Sequence, residues 1–474
     1  MPIKKYYSTS DTTITNAYKE NLQTRGTGSN MGLSDSLETF TIYNQVSYSA
    51  SATTVTTGAQ VEAARILIEF DSSGIKADYD AETVPSGASY YLRLHNAKHP
   101  LTLPKNYQLE VYPLSKTFTE GHGLDMENYS DEATANWIYA SDSETWSAAG
   151  ATGASDTGSI LGRVAFQDGD EDLLLDITSH VYGWRDATSN HKGLLITFPT
   201  SSLDETRSYY TKKFFARGTQ YFYKKPSVEA RWDDTVLDDR GRVFKISTRL
   251  SNSDNTNNIY MYNWVNGALQ NIDGNPQVVL KLYSDVTRST ELSGSTNIGT
   301  ITSGSTGIYK AEVRIQTDET TIYTKWYSGS VSYHEDKVTV KDRVFPNDYN
   351  EPEYIISMPN LKSSYSNDEA TRLRLYTRLK DWSPTIYTVA STDIENQIVT
   401  KAYYKVVRLV DDIEAIGYGT GSVKYTKLSY DVSGSYFDLD MSLFERGYAY
   451  GFKFVFDING KYREQPETFK FRVE

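Results

Sequence analysis

The run Asp168-Gly169-Asp170-Glu171-Asp172 places four carboxylates in five residues, and hard oxygen donors at that density suit calcium. Asp168, Asp170 and Asp172 are the candidate ligands. A calcium loop of the EF-hand kind would also need a glutamate at its twelfth position and flanking helices. Neither is present, so a solvated acidic turn ahead of Leu173-Leu174-Leu175 stands as the simpler alternative. Asp125, Glu127, Asp131 and Glu132 form a second cluster of the same kind. His95 and His99 have the spacing of two zinc-binding imidazoles on a helix. Pro100 and Pro104 follow and a strand-like segment precedes, which predicts a polar loop instead. The run Gly417-x-Gly419-x-Gly421 leads into another strand-like segment, so the helix a phosphate-binding turn needs is missing. No histidine lies beside a Gly-x-Ser-x-Gly elbow, and zero cysteines exclude thiolate catalysis and Cys-ligated metals. Chemistry of this kind predicts a non-enzymatic chain with no cofactor beyond the candidate calcium.

Aromatic residues offer a second candidate site. Tyr209-Tyr210, Phe214-Phe215 and Tyr221-Phe222-Tyr223 gather near Lys212, Lys213, Lys224 and Lys225. Tyr209, Tyr210, Tyr221 and Tyr223 are candidates for a partner-binding or glycan-binding face, because exposed aromatic rings supply rigid contact area. The alternative is a pair of adjacent strands with their aromatics in the core and their lysines directed outward.

The elements that position these residues have period two. In Tyr309-Lys310-Ala311-Glu312-Val313-Arg314-Ile315 apolar side chains take the odd positions and charges the even ones. Thr371-Arg372-Leu373-Arg374-Leu375-Tyr376-Thr377-Arg378-Leu379, Phe452-Lys453-Phe454 and Phe469-Lys470-Phe471-Arg472-Val473 repeat the pattern. Such alternation marks antiparallel sheets packed on one face. Asp71-Ser72-Ser73-Gly74, Asp273-Gly274-Asn275-Pro276 and Asn459-Gly460 read as turns, the last as a two-residue hairpin. A single short helix is expected over 131–140, with Ser130 as its cap. Trp146 and Trp184 are expected in the core.

The chain has 474 residues and a net charge of −13, from 48 basic and 61 acidic side chains. That balance argues against nucleic acid, whose phosphates call for clustered Lys and Arg. No window approaches the roughly 18 apolar residues of a membrane span. The Lys4-Lys5 pair lacks a following apolar stretch, so no export signal is expected. Composition breaks divide the chain into residues 1–235, 243–345 and 350–474, the last two of a size suited to immunoglobulin-like sandwiches. The linker before the third block is Phe345-Pro346-Asn347-Asp348-Tyr349-Asn350-Glu351-Pro352.

The order of features in the first block is Arg65-Ile66-Leu67-Ile68-Glu69-Phe70-Asp71, Glu144-Thr145-Trp146, then Leu175-Asp176-Ile177-Thr178-Ser179-His180-Val181-Tyr182-Gly183-Trp184 and Pro226-Ser227-Val228-Glu229-Ala230. It resembles the disaggregatase-related, DNRLRE-type jelly roll, which implies a carbohydrate-binding-module-like sandwich in an all-β chain. Asn30-Met31-Gly32-Leu33-Ser34, Asp381-Trp382-Ser383-Pro384-Thr385-Ile386-Tyr387, Gly417-Tyr418-Gly419 and Phe437-Asp438-Leu439-Asp440-Met441 are similar to structural proteins of large tailed phages of marine bacteria. That resemblance implies a virion component assembled in a host cytoplasm from homo-oligomers and other virion proteins. Tail, neck or baseplate is favoured over capsid decoration. A glycan-binding adhesin is the alternative.

Overall fold

The computed structural model describes all residues except 1, 22, 43–61, 100–101, 129–132, 187, 189–190, 204–208, 275, 299–302, 344–350 and 383–395. The expected linker therefore lies almost entirely outside the described residues, as do Ser130, Asp131, Glu132 and the run 383–387. The chain is all-β, 45% strand and 7% helix. Two units divide it, Pro2–Asp233 and Asp234–Glu474.

The strands of the first unit are β1 (Ile3–Thr15), β2 (Ser36–Ile42), β3 (Glu62–Phe70), β4 (Ser89–Leu94), β5 (Tyr107–Pro113), β6 (Tyr139–Ser141), β7 (Glu144–Thr145), β8 (Gly162–Phe166), β9 (Leu173–Asp176), β10 (Leu194–Thr197), β11 (Tyr209–Phe215) and β12 (Ser227–Arg231). Strand β1 serves two sheets. Its Ile3–Tyr7 half pairs with β12 in the order β1-β12-β4-β9. A register shift between Ser8 and Ser10 turns the other half onto β3, in the order β8-β5-β10-β3-β1. Bulges of this kind let one strand bend between two layers. Ile66, Ile68, Leu109, Val111, Leu194 and Ile196 face Leu92, Leu94, Val228 and Ala230 in the sandwich core, together with Trp184.

Ala63 and Leu67 of β3 and Leu195 of β10 point the other way, into a second core closed by Phe118, Trp137, Trp146 and Ala151. Residues 114–118 and 135–151 thus cover the outer face of this sheet. Coverage on both sides explains the near-continuous apolar run of β3. Arg65 shares that outer face, with its guanidinium 4.7 Å from the Trp137 ring and donating to the Gly150 carbonyl. Gly150 has φ +83, and a Cβ there would meet Arg65 at 2.1 Å, so only glycine fits.

Two expectations are corrected. The described residues of 131–140 are not helical. Asn136 folds its own side chain onto the N–H groups of Ile138 and Tyr139, and β6 pairs with β7 directly afterwards. Such a side-chain-to-backbone turn competes with helix. Asp71-Ser72-Ser73-Gly74, read as a turn, instead starts helix α1 (Ser72–Asp80), with the Asp71 carboxylate capping Ser73 N–H and Gly74 N–H. Helix α2 (Thr178–Arg185) buries Val181 and Trp184.

In the second unit one sandwich pairs Val243–Phe244, Val331–Lys341, Thr321–Ser328 and Val279–Tyr283 in that order, facing Asn257–Tyr262 and Ile308–Arg314. Its core holds Ile259, Met261, Leu280, Tyr309, Val313 and Trp326. The next orders Tyr354–Ser357, Ala370–Leu379, Gly434–Asp440 and Ser429–Asp431 in one sheet, and Ser364–Tyr365, Phe469–Val473, Ala449–Ile458, Ala402–Arg408 and Glu414–Ile416 in the other. Its centre stacks Phe437 on Tyr404 at 4.3 Å, with Phe452 edge-on at 5.4 Å. In both sandwiches a short early strand, Val243–Phe244 in one and Ser364–Tyr365 in the other, lies parallel to the last strand, while the remaining ladders are antiparallel. This is the immunoglobulin-like arrangement.

Residues 236–242 do not run freely into the first of these sandwiches. Val236 and Asp238 exchange backbone hydrogen bonds with Tyr430, adding a parallel segment beside Ser429–Asp431. Asp239 then accepts from the Tyr430 hydroxyl at 2.9 Å and from the Asn258 N–H at 2.8 Å, one contact on each sandwich. Asp238 is fully buried and receives Arg240 through two nitrogens, at 2.9 and 2.8 Å. Outward-facing Tyr260 and Tyr436 are buried as well. The two sandwiches are latched together by this segment.

Candidate functional site

Alternation along β11 decides what its residues can do. Tyr210, Lys212 and Phe214 face inward, while Tyr209, Thr211, Lys213 and Phe215 face outward beside Ile42, Phe40, Glu38 and Ser36 of β2. The expectation of outward lysines therefore fails for Lys212, which is 1% exposed. Its ammonium donates to the Asn96 Oδ1 at 2.7 Å, the Gly169 carbonyl at 2.9 Å and the Glu171 carbonyl at 2.7 Å, so its three protons are matched by three acceptors. Phe166 and Phe214 lie 4.8 and 5.2 Å from the nitrogen. Burial draws the Lys212 pKa down to about 8, against the pull of Glu171 and Asp172.

Lys212 thus reaches the candidate calcium loop from inside, and its ammonium occupies the carbonyl acceptors there. The three named carboxylates do not converge. Asp168 pairs with Lys105 at 2.8 Å, and Asp170 is exposed. Asp172 turns to His95 Nδ1 at 3.0 Å, the Asn96 N–H at 2.8 Å and Arg93 at 3.3 Å. Burial raises the Asp172 pKa, but His95 and the Asn96 N–H outweigh it and hold the group at about 2. Glu171, the residue left out of the candidate ligand set, closes the loop. It accepts from the N–H groups of Gln167, Asp168 and Gly169 at 2.7–2.8 Å, and these outweigh its partial burial to hold it at about 2. Among the described residues no group of three or more His, Asp or Glu is placed to hold a metal ion. His95 sits in a loop tied to Asp172, as expected for a polar turn.

The candidate tyrosines separate into two pairs. Tyr209 is 67% exposed and Tyr221 41% exposed. Tyr210 packs inward against Tyr107 and Phe198 at 5.7 and 5.9 Å, and Tyr223 is buried. Tyr221 lies 5.5 Å from Phe215. Phe215 and Tyr209 are six residues apart on one face, about 20 Å at strand spacing. The exposed rings consequently mark two ends of a ladder, with the Lys213–Glu38 ion pair between them.

Asp11 and Glu120 come closest to an acid pair. The Asp11 N–H donates to Glu120 Oε1 at 2.8 Å, and burial pushes the Asp11 carboxyl up to about 7. Asp11 is 1% exposed, so no substrate atom reaches it, and Glu120 is held by Arg217 at 2.6 Å. Their role is to fix β1 where it changes sheet. His191 is also internal: it accepts the Phe70 N–H at 2.9 Å and lies 4.0 Å from the Trp184 ring. Burial and His180 lower its pKa to about 3. The unfolded chain then binds the extra proton between about pH 6.5 and 3, so this contribution is present above pH 6.5 and lost as pH falls. We expect a loss of about 3 kcal/mol by pH 4. His191→Gln keeps an acceptor without a titrating ring, and urea unfolding at pH 7 and 4 should show that pH slope in the native chain alone. Equal slopes would remove His191 as the cause.

Fold and site define an all-β protein of three sandwiches in which Lys212, Glu171 and Asp172 are engaged in internal pairing. No family model and no curated protein matches the chain. Among solved structures, the adhesin InvE of Yersinia pseudotuberculosis is similar at 14% identity, covering 45% of this chain and 54% of that one, with a TM-score of 0.15. This chain spans about half of the InvE structure. The Escherichia coli adhesin FdeC is similar at 11% identity over 57% and 79%, TM-score 0.16, and the N-terminal Ig1-2 module of Drosophila receptor protein tyrosine phosphatase DLAR at 8% over 46% and 91%, TM-score 0.15. The architecture above rests on strand pairing and needs none of these overlaps.

Proposed function

We propose that this chain is a non-enzymatic structural protein of a tailed-phage virion, in which an N-terminal jelly roll is carried with a latched pair of immunoglobulin-like sandwiches. The latch at Asp238, Asp239 and Tyr430 supports a building block, because it replaces a free joint with a fixed one. The resemblance noted for residues 30–34, 381–387, 417–419 and 437–441 supplies the particle, with other virion proteins as partners. Immunogold labelling of intact particles with antibody against the chain tests it. Label at one defined position is expected, and particles without label would overturn the reading.

A second reading, a glycan-binding adhesin, is favoured by Tyr209, whose ring is 67% exposed beside Ile42 and Phe40. Sugars bind such rings by stacking their C–H faces. A glycan array should then give signal that Tyr209→Ala lowers about fivefold or more, since stacked aromatic anchors contribute over about 1 kcal/mol. An array without signal would sink it.

A further inference from the structure

Asn-Gly occurs twice in the chain, at 266–267 and at 459–460, and each pair forms the tip of a two-residue hairpin. The two tips share one backbone shape. Asn266 and Gly267 have φ of 52 and 82, and Asn459 and Gly460 have 53 and 81. All of these residues are exposed. An asparagine followed by glycine carries its own electrophile and nucleophile, the side-chain amide carbon and the next backbone nitrogen. Glycine has no Cβ to obstruct their approach.

The tips differ in what holds that nitrogen. The Gly460 N–H donates to Asp457 Oδ1 at 2.8 Å, a bond to a charged acceptor. The other oxygen of Asp457 is held by Lys401 at 3.2 Å. This hairpin pairs Val455–Ile458 with Lys461–Glu464 over four positions, and its first strand belongs to a six-stranded sheet. At the other tip, neither the Gly267 N–H nor the Asn266 side chain has a hydrogen-bond partner among the described residues. Trp264-Val265 and Ala268-Leu269 pair over two positions, as a sheet of two strands. A ladder that short is marginal, so its tip distorts at small cost.

We propose that Asn266 is a site of self-modification, where the Gly267 nitrogen attacks the Asn266 side chain and converts it to aspartate and β-aspartate, while Asp457 protects Asn459 from the same reaction. Solvent base takes the Gly267 N–H proton. The bond from Gly267 N to Asn266 Cγ forms, the Cγ–Nδ2 bond breaks, and Nδ2 leaves as ammonia with a proton from water. Water then opens the cyclic imide at either of its two C–N bonds. Opening at Cγ leaves aspartate. Opening at the main-chain carbonyl carbon leaves a β-aspartyl link, with the backbone one carbon longer. Both products put a carboxylate into residues 263–272, a stretch without charge, beside Trp264, which is 61% exposed. The longer link also breaks the two-residue spacing that the tip requires. The reaction needs only this chain and water, so it stands apart from the assembly reading.

Peptide mapping by mass spectrometry, on the full chain aged at mildly alkaline pH, tests it. Asn266 should convert at least about tenfold faster than Asn459, since freeing the Gly460 nitrogen costs a hydrogen bond to a carboxylate. Asp457→Ala should raise conversion at Asn459 towards that at Asn266 and leave Asn266 unchanged. Asp457→Asn, which keeps a neutral acceptor, should fall between Asp457→Ala and the native chain. In urea the two native rates should converge, because Val-Asn-Gly-Ala and Ile-Asn-Gly-Lys present the same reacting groups once the fold is gone. Circular dichroism checks that each variant is folded, and the comparison of folded with unfolded native chain needs no variant. Equal rates in the folded chain, faster conversion at Asn459, a difference that persists in urea, or a folded Asp457→Ala chain whose Asn459 stays slow would each overturn the proposal.

Discussion

Asp238→Ala should lower the stability of the latched sandwiches by about 3–5 kcal/mol. The carboxylate is fully buried and holds Arg240, whose side chain is 18% exposed. Removing it leaves a guanidinium that has given up most of its water and kept only the more distant Asp336, at 3.8 Å. The cost is the stranded charge and not the attraction lost. That distinction is testable, because replacing both partners, Asp238→Leu with Arg240→Met, should recover most of the loss. Urea unfolding of the full chain measures it, with hydrogen exchange of residues 243–473 assigning the transition. A change under about 1 kcal/mol in Asp238→Ala would show that solvent reaches the pair.

Lys212→Met is the second large expected effect, about 3–5 kcal/mol against the first unit, from stranding three acceptors at about 1–3 kcal/mol each with partial relaxation. Methionine keeps the stem between Phe166 and Phe214, so the loss isolates the ammonium. The melting temperature, with β11 followed by hydrogen exchange, reports it. Calcium is a useful companion. With Lys212 in place the Gly169 and Glu171 carbonyls are already taken, so millimolar calcium should leave the native melting temperature unchanged. A rise would revive the loop as a calcium site with other ligands.

Much of the architecture was readable from alternation, because one-sided burial stamps itself on every second residue. Leu373 and Leu375 are buried while Arg372 and Arg374 reach Asp438 and Asp431, as the pattern of that segment implies. Asn459 and Gly460 adopt positive φ at the predicted hairpin, and Trp146 and Trp184 are buried. Features that depend on distant partners were not readable. The acidic run 168–172 looks like a ligand set until Lys212, 40 or more residues away, is placed behind it. The same alternation that put Phe214 in the core assigned Lys212 there too, but a charged side chain at that position reads as outward unless its acceptors are known. Helix α1 carries little helical pattern of its own. It is set by the Asp71 cap and by Ile75, which reaches the sandwich core.

The parallel pairing of an early strand with the last strand in each immunoglobulin-like sandwich has a mechanical consequence. Val243–Phe244 lies along Val340–Lys341, and Ser364–Tyr365 along Arg472–Val473, with neighbouring bonds such as Lys245 N–H to the Lys341 carbonyl at 3.0 Å and Glu474 N–H to the Tyr365 carbonyl at 2.9 Å. In a parallel pair, tension entering before the first strand and leaving after the last pulls the two strands past each other. Every bond across the pair is then loaded at once, in shear, and none can open alone as in a peeled hairpin. The first sandwich, which opens on its parallel strand, therefore resists stretching along the chain far better than its few edge bonds would suggest if they were loaded one at a time; in the second, Tyr354–Ser357 comes ahead of the parallel pair.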